Sequence, residues 1–175
     1  MSKIKIYVAK SDRQGPDIVW QRKRGKQLLQ KGLHNLIGDD KFMPNIKTSE
    51  KGKPYLANSA LYFNISHSMR YVVCAIGEEE MGIDIQFHKK KDTDKVARKI
   101  MSAKEWQDYQ IASDKTKFFF DLWAKKESYL KYTGDGLNLD LRLLDIDAYV
   151  QVISVDEEYS CMLCTQNACE YELRD

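Results

Sequence analysis

The sequence has 175 residues, the length of one domain or of two very small ones, which is enough to bury a core without disulfide bonds. Its net charge of +2 is too small to indicate a nucleic-acid partner, and no apolar run predicts a membrane span. With four cysteines and no apolar export signal near residue 1, we expect a protein of the reducing cytoplasm.

The first half of the chain predicts a strand, a helix and three further strands. Residues 3–8 alternate between lysine and apolar side chains, and residues 17–37 carry leucines at helical spacing. Three short apolar runs are joined by polar turns, which favours an antiparallel meander. These runs lie at residues 61–65, 71–76 and 81–85.

The second half predicts helices at residues 94–101 and 113–132, with Ser102 and Glu105 as a capping box between them. Three later strands are predicted to close a second sheet, at residues 145–154, 159–165 and 168–173. Helices and strands do not alternate strictly, so the predicted fold class is α+β. The basic loop at residues 88–91 places the boundary between two subdomains, 1–87 and 88–175.

Two segments carry charged side chains where an apolar one is expected. Asp84 and Gln86 lie on one face of an otherwise apolar strand, where a paired or metal-bound carboxylate and an exposed strand end are both possible. Glu127 and Lys131 lie four residues apart on an aromatic helix. They either line a pocket or form an ordinary surface ion pair.

Ser66 and His67 stand in a short polar segment that could hold a phosphate, or could be plain turn chemistry. Cys161 and Cys164 lie three apart in a predicted strand and therefore on opposite faces, which disfavours a thiolate metal site. Two carboxylates, several lysines and a Ser-His pair together suit a Mg²⁺-assisted reaction of a polyphosphate.

Three ordered stretches match a known family. Residues 52–55 and 63–68 spell Gly-Lys-Pro-Tyr and Phe-Asn-Ile-Ser-His-Ser, and residues 81–85 spell Met-Gly-Ile-Asp-Ile. Residues 123–131 spell Trp-Ala-Lys-Lys-Glu-Ser-Tyr-Leu-Lys, followed by Gly-Asp-Gly-Leu at 134–137. In these stretches the sequence resembles the 4′-phosphopantetheinyl transferases, specifically the single-chain, surfactin-synthetase-activating type.

The resemblance implies an α+β fold of two similar halves in a pseudo-twofold arrangement, with the active site in the cleft between them. It implies coenzyme A as the donor and a serine of an apo acyl, peptidyl or aryl carrier protein as the acceptor, with no nucleic acid or membrane involved. The serine hydroxyl attacks the β-phosphate of coenzyme A, and adenosine 3′,5′-bisphosphate leaves.

The resemblance also implies roles for individual residues. Asp84 and Glu127 become ligands of Mg²⁺, with Glu127 also the general base, and Lys131 neutralises charge on the pyrophosphate. The expected coenzyme A contacts are Lys53, Ser66, His67, Lys126, Lys131, Arg22, Arg24 and Lys26.

Gln86 departs from the family pattern, because many members carry a third acid at this position. We expect its side chain to point toward the metal as a weaker, neutral third ligand. The departure leaves open an alternative function, a catalytically weak coenzyme A or nucleotide-binding protein of the same fold.

Overall fold

The computed structural model describes residues 3–13, 15–89, 92–136 and 139–174. Helices and strands occur together without regular alternation, which confirms the predicted α+β class. Within the described ranges, no helix combines the length and the apolar character that crossing a bilayer requires. The elements in chain order are β1 (Lys3–Lys10), α1 (Ile18–Ile37), β2 (Ile46–Thr48), β3 (Pro54–Leu56), β4 (Tyr62–Ser68), β5 (Tyr71–Gly77), β6 (Met81–Phe87), α2 (Asp94–Ile100), α3 (Ala103–Ile111), α4 (Lys115–Thr133), a 3₁₀ turn (Leu141–Leu143), β7 (Tyr149–Val152), β8 (Tyr159–Thr165) and β9 (Glu170–Arg174).

The strands form two larger sheets and one small hairpin. The first sheet has the order β4-β5-β1-β9, in which β9 runs parallel to β1 and the other pairs are antiparallel. The second sheet has the order β6-β8-β7 and is antiparallel throughout. The hairpin pairs β2 with β3.

The first sheet is buried on both faces. On β1, Ile4 and Ile6 pack in one cluster with Ile83 of the second sheet, whereas Tyr7 packs with Leu28 of α1 in another. Strand side chains alternate between faces, so the first sheet lies between α1 and the second sheet. The helix α4 contacts β6 and β8 of the second sheet and shares a third apolar cluster with α2 and α3.

The helix limits follow from their capping residues. Asp17 and Asp114 accept hydrogen bonds at the starts of α1 and α4, and Gly38 and Gly134 end these helices with φ values of 75° and 78°. The predicted capping box at Ser102 is confirmed, since both of its hydrogen bonds are present.

The predicted meander is wrong for its third strand. The strand β6 leaves β4 and β5 and pairs with β8 in the second sheet, and β9 joins the first sheet instead of the second. The predicted boundary at residues 87 and 88 therefore does not separate the two sheets. Part of the basic loop that suggested it, residues 90 and 91, lies outside the described residues.

Polar side chains connect β4 to the edge of β6. Three alternate side chains of β4 accept hydrogen bonds from three alternate backbone N–H groups of β6, which would otherwise lack a strand partner. Ser66 and His67 belong to β4 itself, so the predicted polar turn is shorter than the sequence suggested. The pairs are Ile83 N with Asn64 Oδ1 at 2.9 Å, Ile85 N with Ser66 Oγ at 3.3 Å and Phe87 N with Ser68 Oγ at 3.0 Å.

Asp156, in the loop between β7 and β8, connects the second sheet to the ends of β1 and β5 in the first sheet. Its carboxylate accepts hydrogen bonds from the Tyr71 hydroxyl at 2.8 Å and from Lys10 Nζ at 3.2 Å. Burial acts to raise the pKa of Asp156, but the hydrogen bonds from Glu158 N, Tyr71 and Lys10 outweigh it, so the pKa lies below its ordinary value. The ionised carboxylate is therefore favoured by folding.

Candidate active site

The absence of a side chain at Gly82 brings α4 directly onto β6. A Cβ at this position would lie 2.1 Å from Ser128 O and 2.3 Å from Tyr132 N, both backbone atoms of the helix. Only glycine permits this approach. Because of it, side chains from the facing turns of α4 reach the strand residue two positions after Gly82.

That residue is Asp84, which forms a buried ion pair with Lys131. Lys131 Nζ donates to Asp84 Oδ1 at 2.6 Å, to Ser66 Oγ at 2.9 Å and to Ile83 O at 3.2 Å. The Ser66 hydroxyl donates to Asp84 Oδ1 at 2.8 Å. The Asp84 side chain is 2% exposed and the Lys131 side chain 29% exposed, so solvent reaches the pair only from the lysine side. Its additional hydrogen bonds offset the cost of burying the charges.

Glu127 lies one helical turn before Lys131. Burial raises the pKa of Glu127, the negative charge of Asp84 raises it further, and the positive charge of Lys131 partly opposes both effects. The site thus holds two carboxylates and one lysine, an arrangement with excess negative charge that a cation would neutralise.

Gln86 contacts the same aspartate. Its Nε2 donates to Asp84 Oδ2 at 2.8 Å, so the side chain points toward the site aspartate. Its amide oxygen faces away from the carboxylate, and the amide would have to turn over to offer that oxygen to a cation. A role in metal binding remains a prediction.

These side chains share an open cleft of 510 Å³. His67 stands on the exposed side of this cleft. Burial, followed by the charges of Lys131 and Arg22, lowers the pKa of His67. The cleft is lined by Ile65, Ser66, His67, Asp84, Gln86, Trp123, Glu127 and Lys131.

Lys126 does not reach the cleft, which corrects its predicted contact with coenzyme A. It is 2% exposed and donates to Glu105 Oε2 at 2.8 Å, to Ile100 O at 2.9 Å and to Leu141 O at 2.7 Å. Neighbouring helix positions differ by about 100°, so Lys126 and Glu127 face different sides of α4. Lys126 instead binds α2, α3 and the 3₁₀ turn to α4.

Lys53 and Ser66 are also engaged within the protein. Lys53 pairs with Glu80 and donates to Tyr132 O at 2.8 Å and Met81 O at 3.1 Å. It lines a neighbouring cavity of 170 Å³, which Glu127 and Lys131 also line, rather than the cleft that contains His67. The Ser66 hydroxyl is occupied by β6 and the ion pair. The predicted grouping of Lys53 with Ser66 and His67 around one phosphate does not match this placement.

The basic side chains of α1 are divided between faces. Arg22 and Lys26 lie four residues apart on one exposed face, whereas Arg24 lies on the other side and donates to Gln27 Oε1 at 3.4 Å. Of these three, Arg22 is the one whose charge lowers the pKa of His67.

The possible metal site rests on few ligands. Among the described residues, no three His, Cys, Asp or Glu side chains group together as a metal site would require. Asp84 and Glu127 nevertheless suit Mg²⁺, which takes one or two carboxylates and completes its shell with phosphate oxygens and water. Burial raises the pKa of Cys164 to about 12, so this thiol stays protonated.

Sequence reasoning missed the residues that arrange this site. Gly82 and the acceptors Asn64 and Ser68 were recognised as parts of motifs, but no structural role was assigned to them. The alternation of polar side chains along β4 was a usable signal, because period-two polarity on a mostly buried strand requires partners on that face.

Comparisons with known proteins agree with the predicted family. Residues 80–174 match the family model of the 4′-phosphopantetheinyl transferase superfamily. A 4′-phosphopantetheinyl transferase of Bacillus subtilis is 35% identical over 83% of this chain and 68% of its own length. The transferase Sfp of Bacillus subtilis (strain 168) is 35% identical over 72% of this chain and 59% of its own length. The transferase psf-1 of Bacillus pumilus is 31% identical over 85% of this chain and 72% of its own length.

The chain therefore belongs to the 4′-phosphopantetheinyl transferase superfamily, and the predicted enzyme class is confirmed. It spans between 59% and 72% of the length of these three relatives.

Proposed function

We propose that this protein transfers 4′-phosphopantetheine from coenzyme A to a serine of an apo acyl, peptidyl or aryl carrier protein. The reaction depends on Mg²⁺ and releases adenosine 3′,5′-bisphosphate. The observation that supports this proposal most directly is the meeting of Asp84, Glu127 and Lys131 in one cleft that also contains His67. Family membership supports the reaction class.

The pyrophosphate of coenzyme A fits beside Lys131. This ammonium group is already held by Asp84, Ser66 and a backbone carbonyl, so its position is set before the substrate binds. A preorganised cation stabilises the negative charge that develops as the bond to the leaving phosphate breaks.

Glu127 accepts the proton of the attacking serine. Its raised pKa makes it a stronger base than an ordinary glutamate, which favours proton transfer from a hydroxyl. None of the described residues donates a hydrogen bond to this carboxylate, so its oxygens are free to receive a substrate proton or a cation.

Mg²⁺ would be held by Asp84 and Glu127, with Gln86 beside them, and would neutralise phosphate oxygens when bound. His67 and Arg22 would contact the nucleotide end of coenzyme A, away from the reacting phosphorus, and therefore contribute mainly to affinity.

The test is the mass of a carrier protein. The purified chain is incubated with coenzyme A, Mg²⁺ and a panel of apo acyl, peptidyl and aryl carriers, and each carrier is weighed by intact-protein mass spectrometry. We expect one phosphopantetheine added to at least one carrier, and none when its acceptor serine is replaced by alanine.

Two variants of the chain sharpen this test. Glu127→Gln should remove the mass shift while the protein stays folded, whereas Glu157→Gln, at an exposed acid in the turn between β7 and β8, should leave it intact. If the wild-type protein binds coenzyme A but modifies no carrier, the transferase proposal is wrong and the alternative, a coenzyme A-binding protein, is supported.

A further inference from the structure

The hydroxyl of Ser66 joins three elements on the buried side of the cleft. Its Oγ accepts hydrogen bonds from Ile85 N of β6 at 3.3 Å and from Lys131 Nζ of α4 at 2.9 Å. The same hydroxyl donates to Asp84 Oδ1 at 2.8 Å. Ser66 itself belongs to β4 and is 5% exposed, so these contacts are largely shielded from water.

These three hydrogen bonds use the full capacity of a hydroxyl group. A serine side chain has one proton to donate and two lone pairs that accept. The proton is committed to Asp84, and the lone pairs are committed to Ile85 N and Lys131 Nζ. An ionised phosphate oxygen only accepts hydrogen bonds, so Ser66 could bind one only by releasing Asp84. The predicted contact between Ser66 and coenzyme A therefore has no donor left to make it.

The ammonium group of Lys131 is also fully engaged, since it has three N–H donors and three partners. Its bonds to Asp84 Oδ1 at 2.6 Å and Ser66 Oγ at 2.9 Å are shorter than its bond to Ile83 O at 3.2 Å. A phosphate oxygen can take the donor that faces Ile83 O at the least cost, because that bond is the longest. Asp84 and Ser66 would then still hold the nitrogen in place.

Three atoms form a closed triangle of hydrogen bonds. Its corners are Ser66 Oγ, Asp84 Oδ1 and Lys131 Nζ, and its sides measure 2.8, 2.6 and 2.9 Å. An ion pair with Asp84 alone would fix one distance and leave the ammonium group free to swing around the carboxylate oxygen. Ser66 supplies the second distance, and its own Oγ is held against the backbone of β6 by Ile85 N.

We propose that Ser66 is a positioning residue, which fixes Lys131 at the place where charge develops during transfer, and that it does not contact coenzyme A. The inference rests on the proposed function, because that function assigns Lys131 to the pyrophosphate. A misplaced Lys131 keeps its charge in the cleft but loses its alignment with the transition state. Loss of the Ser66 hydroxyl therefore lowers turnover and not affinity.

The experiment compares coenzyme A affinity, measured by calorimetry in the presence of Mg²⁺, with kcat for carrier modification. Ser66→Ala should lower kcat about 10-fold to 100-fold, the effect of losing hydrogen bonds to charged groups, with affinity within about threefold of the wild type. The matched control is Ser68→Ala on the same strand. The Ser68 hydroxyl likewise accepts from a β6 amide, Phe87 N at 3.0 Å, but Ser68 lies outside the lining of the cleft. This variant should keep both quantities within about threefold of the wild type.

A double variant tests whether Ser66 acts through Lys131. In the Lys131→Met background, the further change Ser66→Ala should alter kcat by less than about threefold, because no ammonium group remains to be positioned. A further loss of about tenfold would mean that Ser66 acts independently of Lys131 and would overturn the inference.

The affinity measurement supplies a second way to refute the inference. Coenzyme A binding about tenfold weaker in folded Ser66→Ala, with kcat unchanged, would mean that the hydroxyl contacts the ligand. If the wild type binds coenzyme A without modifying a carrier, the proposed function fails, whereas the affinity of Ser66→Ala still decides whether this hydroxyl binds the ligand.

Discussion

Replacing Gly82 by alanine should separate α4 from the strand that carries the site aspartate. The added Cβ would meet Ser128 O at 2.1 Å, whereas ordinary van der Waals contact begins near 3.4 Å. The two backbones must therefore move apart by about 1 Å, because neither is the flexible end of a side chain. The hydrogen bond of 2.6 Å between Lys131 and Asp84 would lengthen by a similar amount.

The expected cost follows from this displacement. Overpacking of this kind costs about 1–3 kcal/mol of stability, and a misplacement of about 1 Å in an active site lowers turnover about 100-fold. Urea unfolding measures the first quantity, and kcat for carrier modification measures the second.

Gly77→Ala is the matched control, because it is also a buried glycine at the end of a strand. Its added Cβ would meet the side-chain atoms Ile4 Cγ1 at 3.1 Å and Met81 Cε at 3.2 Å, which can give way. This variant should keep kcat near that of the wild type. If Gly82→Ala matched it in both stability and kcat, the close approach of α4 to β6 would not be what assembles the site.

Three further predictions concern Lys126, Asp156 and Gln86. Lys126→Met should cost about 1–3 kcal/mol in urea unfolding, because it leaves the carbonyls of Ile100 and Leu141 without their donor, yet coenzyme A affinity of the folded protein should not change. Asp156→Asn should flatten the acid dependence of stability. Because folding lowers the pKa of this carboxyl, the ionised group stabilises the fold at pH values above its ordinary pKa of 3.8. That contribution is lost as the pH falls through the pKa of the folded protein. Gln86→Glu should tighten Mg²⁺ binding without coenzyme A, measured by calorimetry, because it adds a charge beside Asp84.

Each of these predictions has an outcome that contradicts it. Weaker coenzyme A binding by folded Lys126→Met would mean that this lysine contributes to coenzyme A binding. Parallel curves of stability against pH for Asp156→Asn and the wild type would mean that the carboxyl is not shifted by folding. Equal Mg²⁺ affinities for Gln86→Glu and the wild type would place residue 86 away from the metal.

The sequence predicted where elements lie better than how they pair. The apolar runs located β4, β5 and β6, because burial determines which residues are apolar. They did not show that β6 pairs with β8, since strand pairing depends on residues far apart in the chain. The helix limits at Gly38 and Gly134 were predictable because capping is local.

Motif spacing predicted which residues of the candidate site share a face of α4, and no more than that. The spacing of Glu127 and Lys131 places both on one face of α4, and the same helical geometry turns Lys126 away, which the motif alone did not reveal. Gln21 of α1 is 3% exposed, and its Nε2 donates to Met69 O, 48 residues away. This burial could not be predicted, because a polar residue on a helix is exposed by default.

The polar contacts between β4 and β6 also bear on the order in which the protein folds. They join residues 19 apart in sequence, whereas Lys131 reaches Asp84 from 47 residues away. Closing the shorter loop costs less chain entropy, so we expect the unit from β4 to β6 to form before α4 docks on it. Pulse-labelled hydrogen exchange should then show the amides of Ile83 and Phe87 protected ahead of those in α4. Asp84 would thus be in place before α4 brings Glu127 and Lys131 to the site.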